Sequence, residues 1–565
     1  MPALCRAVTV LLLACLLTTA AARAAEAPEG FEATRNLAQA GAVDLALGRI
    51  NTLQPPDTVA PQWVEWERLR LQLLVQSGRY DEALQRAGRL SLPVRPGAHA
   101  ELHALAARAG LALGRGAVAR EHAGRALWSP GVDAATLREL RLVVIRSYAG
   151  ESRADDAYRS MLRYEQDYRP LNVAAATVFV DALLDLGLAR EAVNWLGLLE
   201  ERGATKLRLR LHTGVTAPQA AVTQARTASA RSNDPAWWRI LGEAAERQKN
   251  AALRIEALEQ LLNVKRGVDV TVPEPDPSSL WDAYAGYARD AANTHHLLAD
   301  DDANWLEFAT RRRASEPVVA RAYVAYLARH ARVAAVRQSA QARLAADYGD
   351  AKLPRTGLRV FGAWPGGPGA LTTQTRHALG ALAERIGDYP QALQYLQGLP
   401  APQQMPAATW QLRQTALALR AGRVNLAADM VRQLAAVQSA IPAAQVPEWI
   451  VLAQQLTDHG LHDAAQVLFE RALPHADAAQ ARLVLSGIAR IHDARNQPLL
   501  AAEFYLRSAL QTPTPDAAAA EARLRAGLSL ARAGLGDDAR EQFEWLLKNA
   551  RDPAQIAVAR RELGI

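Results

Sequence analysis

The sequence predicts an all-α fold built from stacked helical hairpins, and three observations predict it. A glycine, an alanine five residues later, and small or apolar residues four and seven beyond that recur along the chain, as in "SGRYDEALQRAGRL" (77–90), "GDYPQALQYLQGLP" (387–400) and "GLHDAAQVLFERALP" (460–474). Hydrophobic residues make up 50% of the 565 positions but aromatic ones only 6%, and alanine, the best helix former, is abundant. Proline and glycine punctuate the stretches between periodic segments, where they end helices and start turns.

The first segment, "MPALCRAVTVLLLACLLTTAAARAAEAPEG", is predicted to direct export. Arg6 precedes an apolar run over 7–22, and Ala22-Arg23-Ala24 has the small-x-small form of a cleavage site. A signal peptide over 1–24, cleaved after Ala24, would give a periplasmic chain. The alternative is a lipoprotein signal, with Leu12-Leu13-Ala14-Cys15 as the lipobox and an anchor at Cys15. Cys5 and Cys15 are the only cysteines. The cleaved chain would therefore hold no disulfide, thiolate nucleophile or cysteine metal site, and its stability would come from packing. No later apolar run is long enough for a transmembrane helix.

The hairpin grammar is fullest from Trp449. Trp449, Leu452, Ala453 and Leu456 step by three and four along one helix face, and Gly460 supplies the left-handed turn. Ala465, Phe469 and Ala472 then mark the apolar face of a second helix, which Pro474 closes. This arrangement resembles the tetratricopeptide repeat: Trp-x2-Leu-Gly-x2-Tyr, a glycine turn, then Ala-x3-Phe-x2-Ala. The copy containing Leu379, Gly380, Ala383, Gly387 and Ala392 keeps the spacing, with Arg376 at the Trp position and Ala383 at the Tyr position. Gly527, Gly534, Ala539, Phe543 and Leu546 also fit, and Trp238, Leu241, Gly242 and Ala245 preserve a first helix.

Small residues place the register. Ala46, Ala83, Ala119, Ala157 and Ala192 stand 37, 36, 38 and 35 apart; Ala392, Ala427, Ala465, Ala502 and Ala539 stand 35, 38, 37 and 37 apart. The family period is about 34. The resemblance implies a right-handed superhelical α-solenoid with irregular curvature. The expected organisation is a signal peptide (1–24), an N-terminal solenoid (25–265), a degenerate helical middle with Pro/Gly-rich linkers (266–370) and a C-terminal solenoid (371–565).

In the middle, 251–264 and 302–310 are amphipathic, with Asp302 placed to cap the second helix, and 318–349 reads as two helices. "GVDVTVPEPDPSSL" (267–280) must run extended, because residues before proline avoid the helical region. "PRTGLRVFGAWPGGPGALT" (354–372) reads as a loop between repeats, or as a hinge or folded-back loop anchored by Phe361 and Trp364.

The net charge of +7 comes from 65 basic and 58 acidic residues, interleaved and without a long basic stripe, so nucleic-acid binding is not expected. His295-His296 with Asp300, Asp301 and Asp302, and His459 with His462, read as turn and cap residues rather than metal ligands. No phosphate-binding loop or nucleophile elbow is present. Exported transglycosylases carry helical superhelices ahead of a lysozyme-like domain, but here the repeat grammar continues to Ala539 and Phe543. A non-enzymatic protein with no cofactor and no metal is expected.

The tetratricopeptide resemblance further implies a groove lined by first helices, in which a protein or peptide partner binds. Carried over position by position, the groove residues are Glu65, Arg68, Gln72, Gln76, Arg108, His377, Glu384, Arg385, Gln454, Asp458 and Arg532. The expected function is a periplasmic scaffold or adaptor. The alternatives are a component of cell-envelope machinery (polysaccharide export, outer-membrane assembly or regulation of a peptidoglycan synthase) and a glycan-binding solenoid. For glycan, peptidoglycan or polysaccharide, Trp237, Trp238, Trp281 and Trp305 are the candidate platform.

Overall fold

The ten register alanines occupy nearly one structural position. The computed structural model describes residues 30–565 apart from 41, 59–60, 89–97, 131, 266–271, 299–300, 438–440 and 512–515. The expected signal peptide, its cleavage point at Ala24 and the alternative anchor at Cys15 lie outside the described residues. All ten alanines are buried. Nine of them are the fourth residue of a second helix, as Ala83 is in Tyr80–Ala87 and Ala465 is in His462–Ala472. The amide at that position makes a helix-opening bond, from Ala83 to the Arg79 carbonyl (3.1 Å) and from Ala465 to that of Leu461 (3.0 Å).

The exception corrects the sequence reading. In the helix Pro498–Ala509 the fourth residue is Ala501, not Ala502, and its amide reaches the Gln497 carbonyl at 3.0 Å. The turn residue there is Asn496 in the left-handed region (φ 56), five before Ala501. Asparagine tolerates that conformation, so the turn survives without the glycine from which the register was counted.

Helices are the only regular structure among the described residues, which contain no strand. They divide into two compact units, one ending at Trp364 and the other beginning at Pro365. In the first, seven hairpins follow in order, from Phe31–Gln39 with Val43–Leu53 to Ala236–Arg247 with Ala251–Asn263. In the second, five hairpins run from Thr373–Arg385 with Tyr389–Leu396 to Ala517–Arg532 with Gly536–Asn549, and Pro553–Leu563 packs on the last. Helices pack on their neighbours in sequence, and successive first helices also touch in most repeats, so each hairpin buries the apolar face the next one leaves. Gly527 shows how close the approach is: a Cβ there would meet Phe543 at 2.7 Å.

Hairpin geometry outlasts its glycines in the middle. Lys249 (φ 54) and Lys352 (φ 60) hold the left-handed turn position. The second half of the Trp238 copy is therefore present as Ala251–Asn263, although its fourth residue is Arg254. Likewise 354–362, read as loop, is the helix Pro354–Gly362, with Pro354 at the start where its missing amide costs nothing. Phe361 is buried in that helix, and Trp364 stacks on it at 5.6 Å. Helices 302–312 and 317–330 with 334–350 form as expected, but the cap differs. Asp301 accepts from the Asn304 amide at 3.0 Å, whereas Asp302 accepts from the Val333 amide at 3.0 Å and so ties two helices together.

Contacts in this region skip along the chain. Ala251–Asn263 packs on Pro354–Gly362 and on Pro317–His330 as well as on its sequence neighbours. Trp281 lies beneath the Arg329 guanidinium at 4.0 Å and donates its indole N–H to the Val360 carbonyl at 3.3 Å.

Candidate functional site: a charged cavity between first helices

Three successive first helices of the first unit each carry a charged or titratable pair four residues apart, and so on one face. Val173–Asp185 carries Asp181 and Asp185, Ala204–His212 carries Arg208 and His212, and Ala236–Arg247 carries Arg239 and Glu243. Asn172 fixes the start of the first of these by accepting from the Ala175 amide at 2.8 Å. The helices pack in sequence, and the pairs interlock. Arg208, 3% exposed, reaches Asp181 at 3.0 Å, Asp185 at 2.7 Å and Glu243 at 2.9 Å. Arg239 joins Asp185 and, at 3.2 Å, Glu243, which His212 Nε2 meets at 2.9 Å.

Asp181, Asp185, Arg208 and Arg239 of this cluster border a cavity of about 1000 Å³, while Glu243 and His212 pair with them outside its lining. The 111–116 turn, the helix Ala134–Gly150, residues 199–203 and the proline-rich segment 272–277 add to its wall. Burial would drive Glu243 towards its neutral form; the hydrogen bond from His212 and the Arg208 and Arg239 guanidiniums outweigh it and hold the carboxyl at about 2. Burial also opposes charge on Arg208, but three carboxylates keep it firmly protonated. For Arg146, another cavity residue, burial outweighs the pull of Asp181 and Asp185, and its pKa falls below the ordinary arginine value. The wall thus combines compensated charges with apolar stretches such as Val173, Val178 and Ile240.

The residues expected to line a groove lie on first helices elsewhere, and five of the eleven, Arg68, Arg108, Glu384, Asp458 and Arg532, enter ion pairs between successive hairpins. Glu65 and Arg68 pair, and Arg68 also reaches Glu101 at 3.0 Å, while Gln72 and Gln76 stand exposed on the same helix. Arg108 makes a two-pronged contact with Glu139, both bonds 2.5 Å. In the second unit, Glu384 meets Arg413 at 2.7 Å, Asp458 meets Arg490 at 2.9 Å, and Arg532 meets Asp493 at 2.6 Å. His377 contacts the Pro400 carbonyl at 3.1 Å and the Trp410 ring edge-on, Arg385 is exposed and Gln454 half-buried. Arg532 also borders a smaller cavity of about 530 Å³ with Asp493 and Arg525.

None of these expected residues borders the larger cavity, whose charged lining the sequence reading missed. Its signal was present as three i,i+4 pairs, but only Asp181 with Asp185 precedes Ala192; the other two fall after it, where the alanine register lapses. The tryptophan platform does not form. Trp281 and Trp305 are buried, and Trp237 and Trp238 are half-buried against the core. Among the described residues, no three His, Cys, Asp or Glu side chains converge as metal ligands, and no helix is long and apolar enough to cross a membrane.

No family model matches the chain, and no curated protein sequence matches it. Solved structures to which it is similar include the Cut9–Hcn1 hetero-tetramer of the APC/C (10% identity, 96% of this chain and 97% of that chain covered, TM-score 0.26). Yeast Tom70 (12% identity, 95% of each chain, TM-score 0.24) and Naa15/Naa10 bound to HypK-THB (13% identity, 94% of this chain and 90% of that chain, TM-score 0.23) are others. At such TM-scores the assignment as a tetratricopeptide-like stack of helical hairpins rests on the chain's own helix pairing.

Proposed function

We propose that this all-helical hairpin stack is a non-enzymatic scaffold of the periplasm, and that it holds a protein or peptide partner against the first-helix face of its first unit. The observation that carries this is the cavity of about 1000 Å³ whose wall is shared by successive first helices. A surface supplied by several repeats suits an extended ligand.

The test is in-cell crosslinking and capture of the full-length chain, tagged at its C-terminus, with identification of the captured proteins. Val178→Arg would project a long cation from the cavity wall. Arg68→Ala, Gln72→Ala, Arg108→Ala and Arg385→Ala, combined in one variant, probe the other first-helix positions. Capture of one envelope protein that Val178→Arg abolishes supports the reading. Undiminished capture by Val178→Arg, or recovery of polysaccharide alone, rejects it. Export is tested separately: the chain recovered from cells should begin at Ala25, and an N-terminus at Met1 would place it elsewhere.

A further inference from the structure

Residues 272–277 read Val-Pro-Glu-Pro-Asp-Pro. Proline at alternate positions removes every second amide and biases the residues between towards extended backbone, so 272–276 join neither helix nor sheet. Pro277 opens the next helix, where a proline is tolerated, and all six residues border the cavity described above. Val272 is 7% exposed. Glu274 meets Arg359 Nε at 2.7 Å, and Arg359 is itself oriented by bonds to the Leu262 and Val264 carbonyls, the latter at 3.2 Å. Asp276 accepts from the Ser278 amide at 2.8 Å and starts the next helix. The segment is therefore held at its acidic residues, while its residues border a hollow they do not fill.

We propose that this segment is a strap standing in for the partner. The partner is then an extended acidic peptide with prolines at alternate positions, whose carboxylate takes Arg359 in place of Glu274. The inference rests on the scaffold reading above and names the chemistry of what the cavity takes. A proline-interspersed ligand is already extended before it binds, so it loses little conformational entropy in competing with the strap. A strap bound in cis also lowers the apparent affinity for a peptide in trans by the fraction of time the site is closed.

The experiment uses the full-length chain and a fluorescein-labelled synthetic peptide with the sequence of residues 271–279, read by fluorescence anisotropy. Glu274→Gln removes the charge that ties the strap and leaves the core untouched. It should bind the peptide about tenfold more tightly than the unaltered chain. The double variant Pro273→Gly/Pro275→Gly, which makes closing the strap entropically costlier, should show the same gain. Arg359→Ala added to Glu274→Gln should abolish binding, as should replacing the peptide's glutamate by lysine. Equal binding by the unaltered chain and both strap variants, or no binding by any, overturns the proposal. If the cells yield a protein whose capture Val178→Arg prevents while the peptide never binds, the strap falls and the scaffold reading stands.

Discussion

Glu259 and Arg321, 62 residues apart in sequence, form a buried two-pronged ion pair, with Arg321 Nε 2.8 Å from Glu259 Oε1. The Tyr284 hydroxyl donates to the same carboxylate at 2.5 Å and lies 3.1 Å from the Tyr348 hydroxyl, while Thr356 donates to the Glu259 carbonyl at 2.6 Å. Five helices thus meet at one polar point, and it joins the last regular hairpin to the helices that return to it.

Breaking that point from one side leaves a buried charge without its partner. Arg321→Ala is expected to destabilise the first unit by about 3–5 kcal/mol. Arg321→Met with Glu259→Met should cost less than Arg321→Ala alone, because no uncompensated charge remains. Urea unfolding followed by tryptophan fluorescence measures both. A single variant within about 0.5 kcal/mol of the parent would show that the pair contributes nothing net.

The cavity and the surface ladder should respond differently to loss of an arginine. Arg208→Ala takes the Arg208 guanidinium from Asp181, leaves Asp185 and Glu243 with Arg239 and His212, and is expected to cost about 3–5 kcal/mol. Arg68→Ala removes an arginine whose side chain is 41% exposed and should cost under about 1 kcal/mol. Arg208→Lys should not restore stability, since one ammonium cannot span three carboxylates as a guanidinium does. The same unfolding measurement ranks all three, and equal losses for Arg208→Ala and Arg68→Ala would contradict the distinction.

Acid should unfold the first unit in two windows. His103 and His122 face each other with Nδ1 atoms 3.0 Å apart, both buried. Burial first, then His122, Arg125 and His99, holds His103 at about 4; burial and Arg125 lower His122, against the opposite pull of Glu121. These pKa values lie below the ordinary 6.5, so the unfolded chain takes up protons first and stability falls as pH drops from about 6.5 to about 4. Glu243, held at about 2 against an ordinary 4.5, adds a loss between about 4.5 and about 2. Together the histidines should contribute on the order of 1–3 kcal/mol. Thermal melts from pH 7 to about pH 2 should show both windows, and His103→Gln should weaken the upper one while leaving the lower. An unchanged upper window in that variant would refute the assignment.

Much of this protein is determined locally. A left-handed turn residue and a small residue five positions on specify a hairpin wherever they occur, because they set backbone conformation and helix approach within a few residues. Hence Gly78 with Ala83 and Gly460 with Ala465 were legible, and every register alanine is buried. Lys249 and Lys352 were not, because the helices on either side impose a conformation that lysine does not prefer; Asn496 was not, because the register was counted from glycine although asparagine also tolerates that turn. Non-local contacts decided the rest. No spacing rule links Glu259 to Arg321, sets Asp302 on the Val333 amide, or brings Arg208 between carboxylates from two other helices. The cavity and its proline strap exist only because helices far apart in the chain pack to enclose a hollow. Periodicity marks which face of a helix is buried, and only the packed structure determines what that face meets.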